Sequence, residues 1–306
     1  MPAPRGKPIL VDSSAPLEAL VVAHHSAERL PGCLAAVRRE GVPALVVDNG
    51  SRDGSADLAR QHGARVVALA RNEGYGRANN AGAQASTAEF LLIANPDIVL
   101  DEGAVAALLA ATEHYPDAGM WAPRILEEDG RFFFQPRSLL ATRLTNPEGF
   151  PCRPDGDACA PFLSGACFMI RRELFLSLGG FDENIFLFYE DDDLCRRLAD
   201  AGQALVHVHD AVARHGRGRS SAPARGRIFR SRWHQAWSRA YVSEKYGLPG
   251  SAPVMFALNA PKALLACLTL RPSLIERYAG SAAGALAFML GRTALGREGL
   301  LPPGGS

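Results

Sequence analysis

The chain has 306 residues, 47% apolar and 21% charged, which suits one large globular domain or two small ones. A net charge of +1 excludes a global polyanion binder. Six cysteines show no CxxC pair or zinc-like spacing; Cys33, Cys167 and Cys195 lie in apolar or periodic segments and read as reduced core residues of a cytoplasmic protein.

Residues 1–16 lack an apolar h-region and read as a flexible leader, not a signal peptide. Strands are predicted at 17–23, 44–47, 65–70 and 90–94, each a short apolar run closed by a turn signal. Helices are predicted between them at 28–40, 55–62 and 76–85, and after them at 102–115, giving a doubly wound α/β unit. From 118 the alternation loosens: 120–126 and 131–135 read as an antiparallel addition, and the Pro/Gly/Asp-rich 139–160 as a substrate-facing loop. A buried strand at 165–170, helices at 172–178 and 190–201, and a half-exposed strand at 204–211 follow. Nine Arg/Lys against one acid, Glu244, lie between Arg214 and Lys245, so this stretch should have an anionic partner. Residues 233–246 and 253–290 read as helical. No run of 18 apolar residues occurs, and Asn259, Pro261 and Lys262 interrupt the nearest approach, 253–270, which argues against a spanning helix.

The stretch 88–101, AEFLLIANPDIVLD, organises the rest. Its apolar run stops at Asn95-Pro96-Asp97, so Asp97 sits just past the carboxyl end of a buried strand, the rim where open α/β sheets bind ligands. A carboxylate there could hold a divalent cation against a phosphate; a tight turn alone would also explain it. Asp48, with Asn49 and Ser51, ends another strand at the same rim and could bond a base or ribose, or serve only to turn the chain. The Asn72–Gly76 glycine turn leads into a helix N-terminus and could sit beside phosphates, yet it is neither GxGxxG nor GKS/T. Glu190-Asp191-Asp192-Asp193 opens a helix, where capping explains some acids but not four. Glu190 and Asp193 share a face, while Asp191 points elsewhere and could take a proton from a hydroxyl. His215, before Arg217 and Arg219, could meet a metal or phosphate.

With these segments in order, VVDNGSRDGS (46–55), NEGYGRANNAG (72–82), NPDIVL (95–100), DAGMWAPRI (117–125), SGACFMIRREL (164–174), GGFDENIFLFYEDDDLCRRL (179–198) and the histidine of ARHGRGRSS (213–221), the chain resembles the GT-A-fold glycosyltransferases of family 2, rhamnosyltransferase-like subgroup. The resemblance implies a Rossmann-like, mostly parallel sheet with helices on both faces over 17–224, and a C-terminal helical region at 225–306. It implies that Asp48 reads the nucleotide base, with Asn49, Ser51, Asn72, Gly74 and Asn95 beside the nucleotide. It further implies Asp97 and His215 as ligands of Mg²⁺ or Mn²⁺, Asp191 as catalytic base, and Glu190 and Asp193 as acceptor support. Arg217 and Arg219 would add phosphate contacts. His24-His25 departs from the Tyr-Asn common in relatives.

The expected reaction is inverting sugar transfer from a dTDP- or UDP-sugar, with dTDP-rhamnose favoured, to a saccharide or lipid-linked acceptor in cell-surface polysaccharide synthesis. A silent scaffold of the same fold and a nucleotidyltransferase are the alternatives. The basic C-terminal part, with Trp233, Trp237 and Tyr241, could rest on an anionic membrane at the inner face of the plasma membrane, pack on the catalytic part or form a homodimer contact. Nucleic acid is a poor fit, since no reading motif accompanies the basic run.

Overall fold

The structure is a computed structural model describing residues 16–134, 138–141, 152–216, 226–269 and 271–300. The leader expected at 1–16, apart from Pro16, and residues 142–151 of the expected loop at 139–160 lie outside these residues.

The elements in chain order are β1 (Leu17–Ala23), α1 (Leu30–Arg39), β2 (Ala44–Asn49), α2 (Ser55–Gln61), β3 (Arg65–Leu69), α3 (Tyr75–Ala85), β4 (Phe90–Ala94), β5 (Ile98–Leu100), α4 (Ala104–His114) and β6 (Ala118–Glu127). Then come β7 (Phe132–Phe133), β8 (Ala158–Cys159), β9 (Cys167–Arg171), α5 (Arg172–Ser177), α6 (Glu190–Asp200) and β10 (Ala204–His215). Four helices close the chain: α7 (Arg227–Lys245), α8 (Ser251–Leu268), α9 (Pro272–Met289) and α10 (Ala294–Arg297).

One sheet runs β3-β2-β1-β4-β9-β6-β10-β5. The half built from β3, β2, β1 and β4 is parallel, as its short apolar runs require. Beyond it the sheet is mixed, because β9 runs antiparallel to both β4 and β6 while β6 and β10 are parallel. Residues alternate between two cores. Ala19, Val21, Ala23 and Leu92 face α1 and α4, whereas Leu20, Val22, Leu91 and Ile93 face α3, α5 and α6.

The C-terminal helices bear on three sequence expectations. Trp233 and Trp237 are buried, not surface anchors: with Phe186, Ala287, Leu295 and Leu300 they form a third core that fastens α7 to the catalytic part. Several cations of the basic stretch find their anionic partners inside the chain: Arg214 with Asp101, Arg230 with Glu298, and Lys245 with Asp182 and Asp193. Finally, α8 runs unbroken through Asn259, Pro261 and Lys262 and is long and apolar enough to cross a membrane, the one such helix among the described residues. Pro261 is tolerated because the carbonyl it leaves without a donor, that of Ala257, lies on an exposed face.

Candidate active site

The parallel half of the sheet sets the site out as a row. Asp48, the last residue but one of β2, lies opposite Ala23 of β1. His24 follows β1, and Asn95 follows β4. Beyond β4, the Asn95 N–H donates to the Ala166 carbonyl at 2.8 Å, just before β9 begins. Strand spacing makes the rim from β2 to β4 about 10 Å wide.

At the β2 end Asp48 is buried, and its Oδ1 has no partner among the described residues. Asn49 instead organises its neighbours. Its Nδ2 donates to Asn72 Oδ1 and the Gly74 carbonyl, both at 3.1 Å, and its Oδ1 accepts from the Glu73 N–H at 2.8 Å. Asn72 Oδ1 also accepts from the Gly74 N–H at 3.0 Å. Asn49, Asn72 and Gly74 therefore hold one loop to another. Gly50 permits this: a Cβ there would stand 2.5 Å from the Arg71 carbonyl carbon. Ser51 Oγ accepts from the His25 N–H at 3.0 Å, and His24 Nδ1 lies 3.0 Å from the Asn49 carbonyl. Burial, then the neighbouring His25, lowers the His24 pKa.

At the β4 end, Asn95-Pro96-Asp97-Ile98 closes a turn, the Ile98 N–H donating to the Asn95 carbonyl at 3.1 Å. The chain then re-enters the sheet as β5, whose Ile98 pairs with His215 at the end of β10. That pairing brings His215 Nε2 within 3.4 Å of Asp97 Oδ1, the Asp97 side chain being 1% exposed. Adjacent ligands of one octahedral divalent ion, each about 2.1 Å from it, stand about 3 Å apart, so the spacing of the pair suits a divalent ion that accepts both a carboxylate oxygen and an imidazole nitrogen. His215 Nδ1 is buried with no partner among the described residues. No group of three His, Cys, Asp or Glu converges on a metal position among the described residues, so ligand oxygens and water would complete the coordination. Arg217 and Arg219 lie outside the described residues.

The four acids open α6 behind Phe188 and Tyr189, both left-handed at φ 70° and 67°. That costs of order 1–3 kcal/mol per residue and fixes how the first turn faces the rim. Asp191 Oδ2 accepts from the Gly165 N–H and Oδ1 from the Asp192 N–H, each at 3.0 Å. Of the four acids, only Asp191 is half-exposed; Glu190, Asp192 and Asp193 are buried. Asp191 nevertheless sits deep among protein atoms, and burial pushes its pKa up against the pull of those two N–H groups. Glu190 is pushed up to about 8 by burial and then by the charge of Asp191. Asp192 is raised to about 6 by the same causes, although its Oδ1 accepts from the Leu139 N–H at 2.8 Å.

Asp193 is fully buried and faces away from the rim. Its oxygens meet Arg197 Nε at 2.8 Å, Lys245 Nζ at 2.6 Å and the Tyr246 hydroxyl at 2.8 Å. Apart from Arg197 of its own helix, these partners come from the end of α7 and the residue after it.

Sequence reasoning passed over Gly165. A Cβ there would lie 2.9 Å from Asp191 Cβ, and the Gly165 carbonyl accepts from the Tyr75 hydroxyl at 2.8 Å. The signal was a Ser-Gly pair immediately before an apolar strand, a place where another segment can approach the backbone closely.

The rim thus brings together the Asp97–His215 pair and the Asp191 carboxylate, joined through Asn95, Ala166 and Gly165. The model of glycosyl transferase family 2 matches residues 19–179. The chain belongs to that family. This glycosyltransferase is 30% identical over 281 residues to the N-acetylglucosaminyl-diphospho-decaprenol L-rhamnosyltransferase of Mycobacterium tuberculosis, covering 81% of this chain and 89% of the relative. It also resembles a mannosyltransferase from Pyrobaculum calidifontis solved with GDP-Man and Mn²⁺, at TM-score 0.55 and 17% identity, over 90% of this chain and 87% of that one. A third relative is GalNAc-T7 solved with UDP, GalNAc and Mn²⁺, at TM-score 0.53 and 18% identity, over 68% of this chain and 45% of that one. These likenesses show the GT-A fold, in which the sheet and its two helical faces were expected. Family membership also sets the nucleotidyltransferase alternative aside.

Proposed function

We propose that this glycosyltransferase moves rhamnose from dTDP-rhamnose to a lipid-linked saccharide with inversion, using Asp191 as base. The observation that carries the proposal is the placement of Asp191. It is the one acid of its turn with a solvent-reachable edge, its pKa is raised, and two N–H groups fix its orientation. A carboxylate poised nearer neutrality is a better acceptor for a hydroxyl proton than an ordinary one. Each Asp191 oxygen keeps a second lone pair for the acceptor hydroxyl.

Asp97 and His215 would hold Mn²⁺ or Mg²⁺, which when bound neutralises charge on the departing diphosphate. Asp48 Oδ1, an unpartnered acceptor, suits the imide N–H shared by thymine and uracil. Arg217 and Arg219 are assigned to the phosphates, and Asn49, Ser51, Asn72, Gly74 and Asn95 to shaping the nucleotide rim. Glu190, which burial and the charge of Asp191 push towards its protonated form, supports the acceptor side. Asp193 supports it indirectly by fixing α6. One carboxylate poised at the reacting position fits single displacement, since double displacement needs a further nucleophile. The mycobacterial relative's name supports both rhamnose and a diphospholipid acceptor.

The test is calorimetry with dTDP, UDP and GDP, with and without Mn²⁺, beside transfer to an N-acetylglucosaminyl-diphosphoprenol. Mn²⁺-dependent dTDP binding should vanish in Asp97→Ala. Asp191→Asn should keep that binding and slow transfer about 10²–10⁴-fold. Donor binding lost in Asp191→Asn, or transfer retained, refutes the role of Asp191.

A further inference from the structure

The helices α8 and α9 form a hairpin whose outer side is apolar. On α8, Val254, Leu258, Leu264, Leu265 and Leu268 are each between 56% and 81% exposed. They share that side with exposed Pro253, Ala257 and Pro261, and Lys262 is its only charge. Leu286, Met289 and Leu290 extend the patch onto the end of α9 and the residue after it. A contiguous apolar face of this extent on a folded protein marks a surface that something covers.

The other side of α8 is committed. Ala252 and Ala266 are its buried residues, and it packs along α9. α9 is in turn locked to α7 at close range. A Cβ on Gly280 would stand 2.5 Å from the Phe229 carbonyl oxygen, and one on Gly284 2.2 Å from that of Trp233. α8 is therefore tied through α9 to α7. Despite its length it is held alongside a body that stays in water, an arrangement that suits lying in an interface and not crossing one.

Charge decides between a bilayer and a second copy. Residues 251–289 carry Lys262, Arg271 and Arg277 against Glu276 alone. The three cations are exposed, whereas Glu276 is half-buried and accepts from the Phe229 N–H at 3.4 Å. Lys262 rises beside the Tyr278 ring, its Nζ 5.9 Å from the centroid, so its stem can lie in an apolar layer while the ammonium reaches outward. A two-fold contact between copies would bring the exposed Lys262, Arg271 and Arg277 of one copy towards those of the other, with no exposed acid in 251–289 to offset them. Anionic headgroups above an acyl layer match both the leucines and the cations.

We infer that α8 is an interfacial helix that docks the enzyme on an anionic phospholipid bilayer, with Leu264, Leu265 and Leu268 inserted and Lys262 and Arg271 at the headgroups. α7 carries the position of that helix to α6 through Lys245 and Tyr246 on Asp193, and the Ser238 hydroxyl bonds the Leu187 carbonyl at 2.9 Å. Docking thereby fixes the height and tilt of Asp191 above the lipid. This last link rests on the lipid-linked acceptor proposed above; the docking itself does not.

The experiment is flotation of the full chain with vesicles of phosphatidylcholine alone or with about a third phosphatidylglycerol. The wild type should bind the anionic vesicles and release in high salt. Leu264→Glu/Leu268→Glu should lose about 100-fold in affinity, since two inserted leucines are each worth about a tenfold factor. Lys262→Glu/Arg271→Glu should weaken binding to anionic vesicles specifically. Both variants alter exposed positions and should keep wild-type dTDP binding and helical circular dichroism. Absence of wild-type binding to anionic vesicles overturns the inference, as does undiminished binding by the leucine variant. A wild-type dimer that dissociates in the leucine variant, without vesicle binding, assigns the face to a second copy. Vesicle binding without dTDP binding would instead leave docking standing and remove the donor reading.

Discussion

Gly165→Ala isolates the positioning of the base from everything else in the site. The new Cβ would fall 2.9 Å from Asp191 Cβ and 3.3 Å from Asp191 Oδ2. Carbon atoms settle at about 3.5–4.0 Å, so the aspartate must retreat by roughly 0.5–1 Å. The retreat also lengthens the Gly165 N–H bond to Oδ2, now 3.0 Å. A displacement of about 1 Å in a reacting group costs about 10²-fold in rate, while local overpacking costs about 1–3 kcal/mol of stability. Asp48, Asp97 and His215 are reached from other strands and should not move. The assay is steady-state transfer at saturating donor, paired with calorimetric binding of dTDP and Mn²⁺. We expect kcat to fall about 10²-fold and the dTDP Kd to stay within about twofold. The double variant Gly165→Ala/Asp191→Asn should be no slower than Asp191→Asn, because both remove one function. A kcat within about threefold of wild type, or additive losses in the double variant, would refute the reasoning.

Two further outcomes follow from the buried acids. Because the Glu190 pKa is raised from 4.5 to about 8, the folded protein keeps a proton that the unfolded chain gives up, so stability falls as pH rises across that window. Glu190→Gln mimics the protonated form; without nucleotide or metal its Tm should exceed the wild type's by most above pH 8 and by least near pH 5, and parallel Tm–pH curves would contradict this. Asp193→Ala leaves Arg197 and Lys245 without their shared buried carboxylate, and urea unfolding should show a loss of about 3–5 kcal/mol, a loss below about 1 kcal/mol counting against the network.

The parallel half of the sheet was legible because its strands are short apolar runs ending in turn residues; 17–23 and 90–94 match β1 and β4 to the residue. β5 was not. It is three residues long and exists only through pairing with β10, more than a hundred residues away, which no local pattern records. The extension of β10 to His215 was hidden for a related reason, since a register shift between Val208 and Val212 breaks the alternation that marks a strand. Asp97 and His215 were named together on resemblance, and the β5–β10 pairing supplies the physical cause. Composition could not say which way the C-terminal aromatics face: Trp237 points inward because its indole donates to the Arg292 carbonyl at 2.7 Å and its ring stacks on Tyr241. The four acids were visible as a cluster, but their separation into one half-buried carboxylate, two protonation-prone neighbours and one ion-pair hub depends on what each meets in space.

The hub at Asp193 has a consequence for how such a chain can be altered by engineering or by descent. Residue 225 looks like a seam, yet cutting there would take Lys245 and Tyr246 from Asp193, take Lys245 and Tyr241 from Asp182, and uncover Phe186. The helix that presents Asp191 would lose its backing at the moment its supposed neighbour was removed. C-terminal helices borrowed from a relative can serve only if they bring a cation and a hydroxyl to these positions. The two stretches must therefore change in concert, because the tail is part of what keeps the first turn of α6, and with it Asp191, in place.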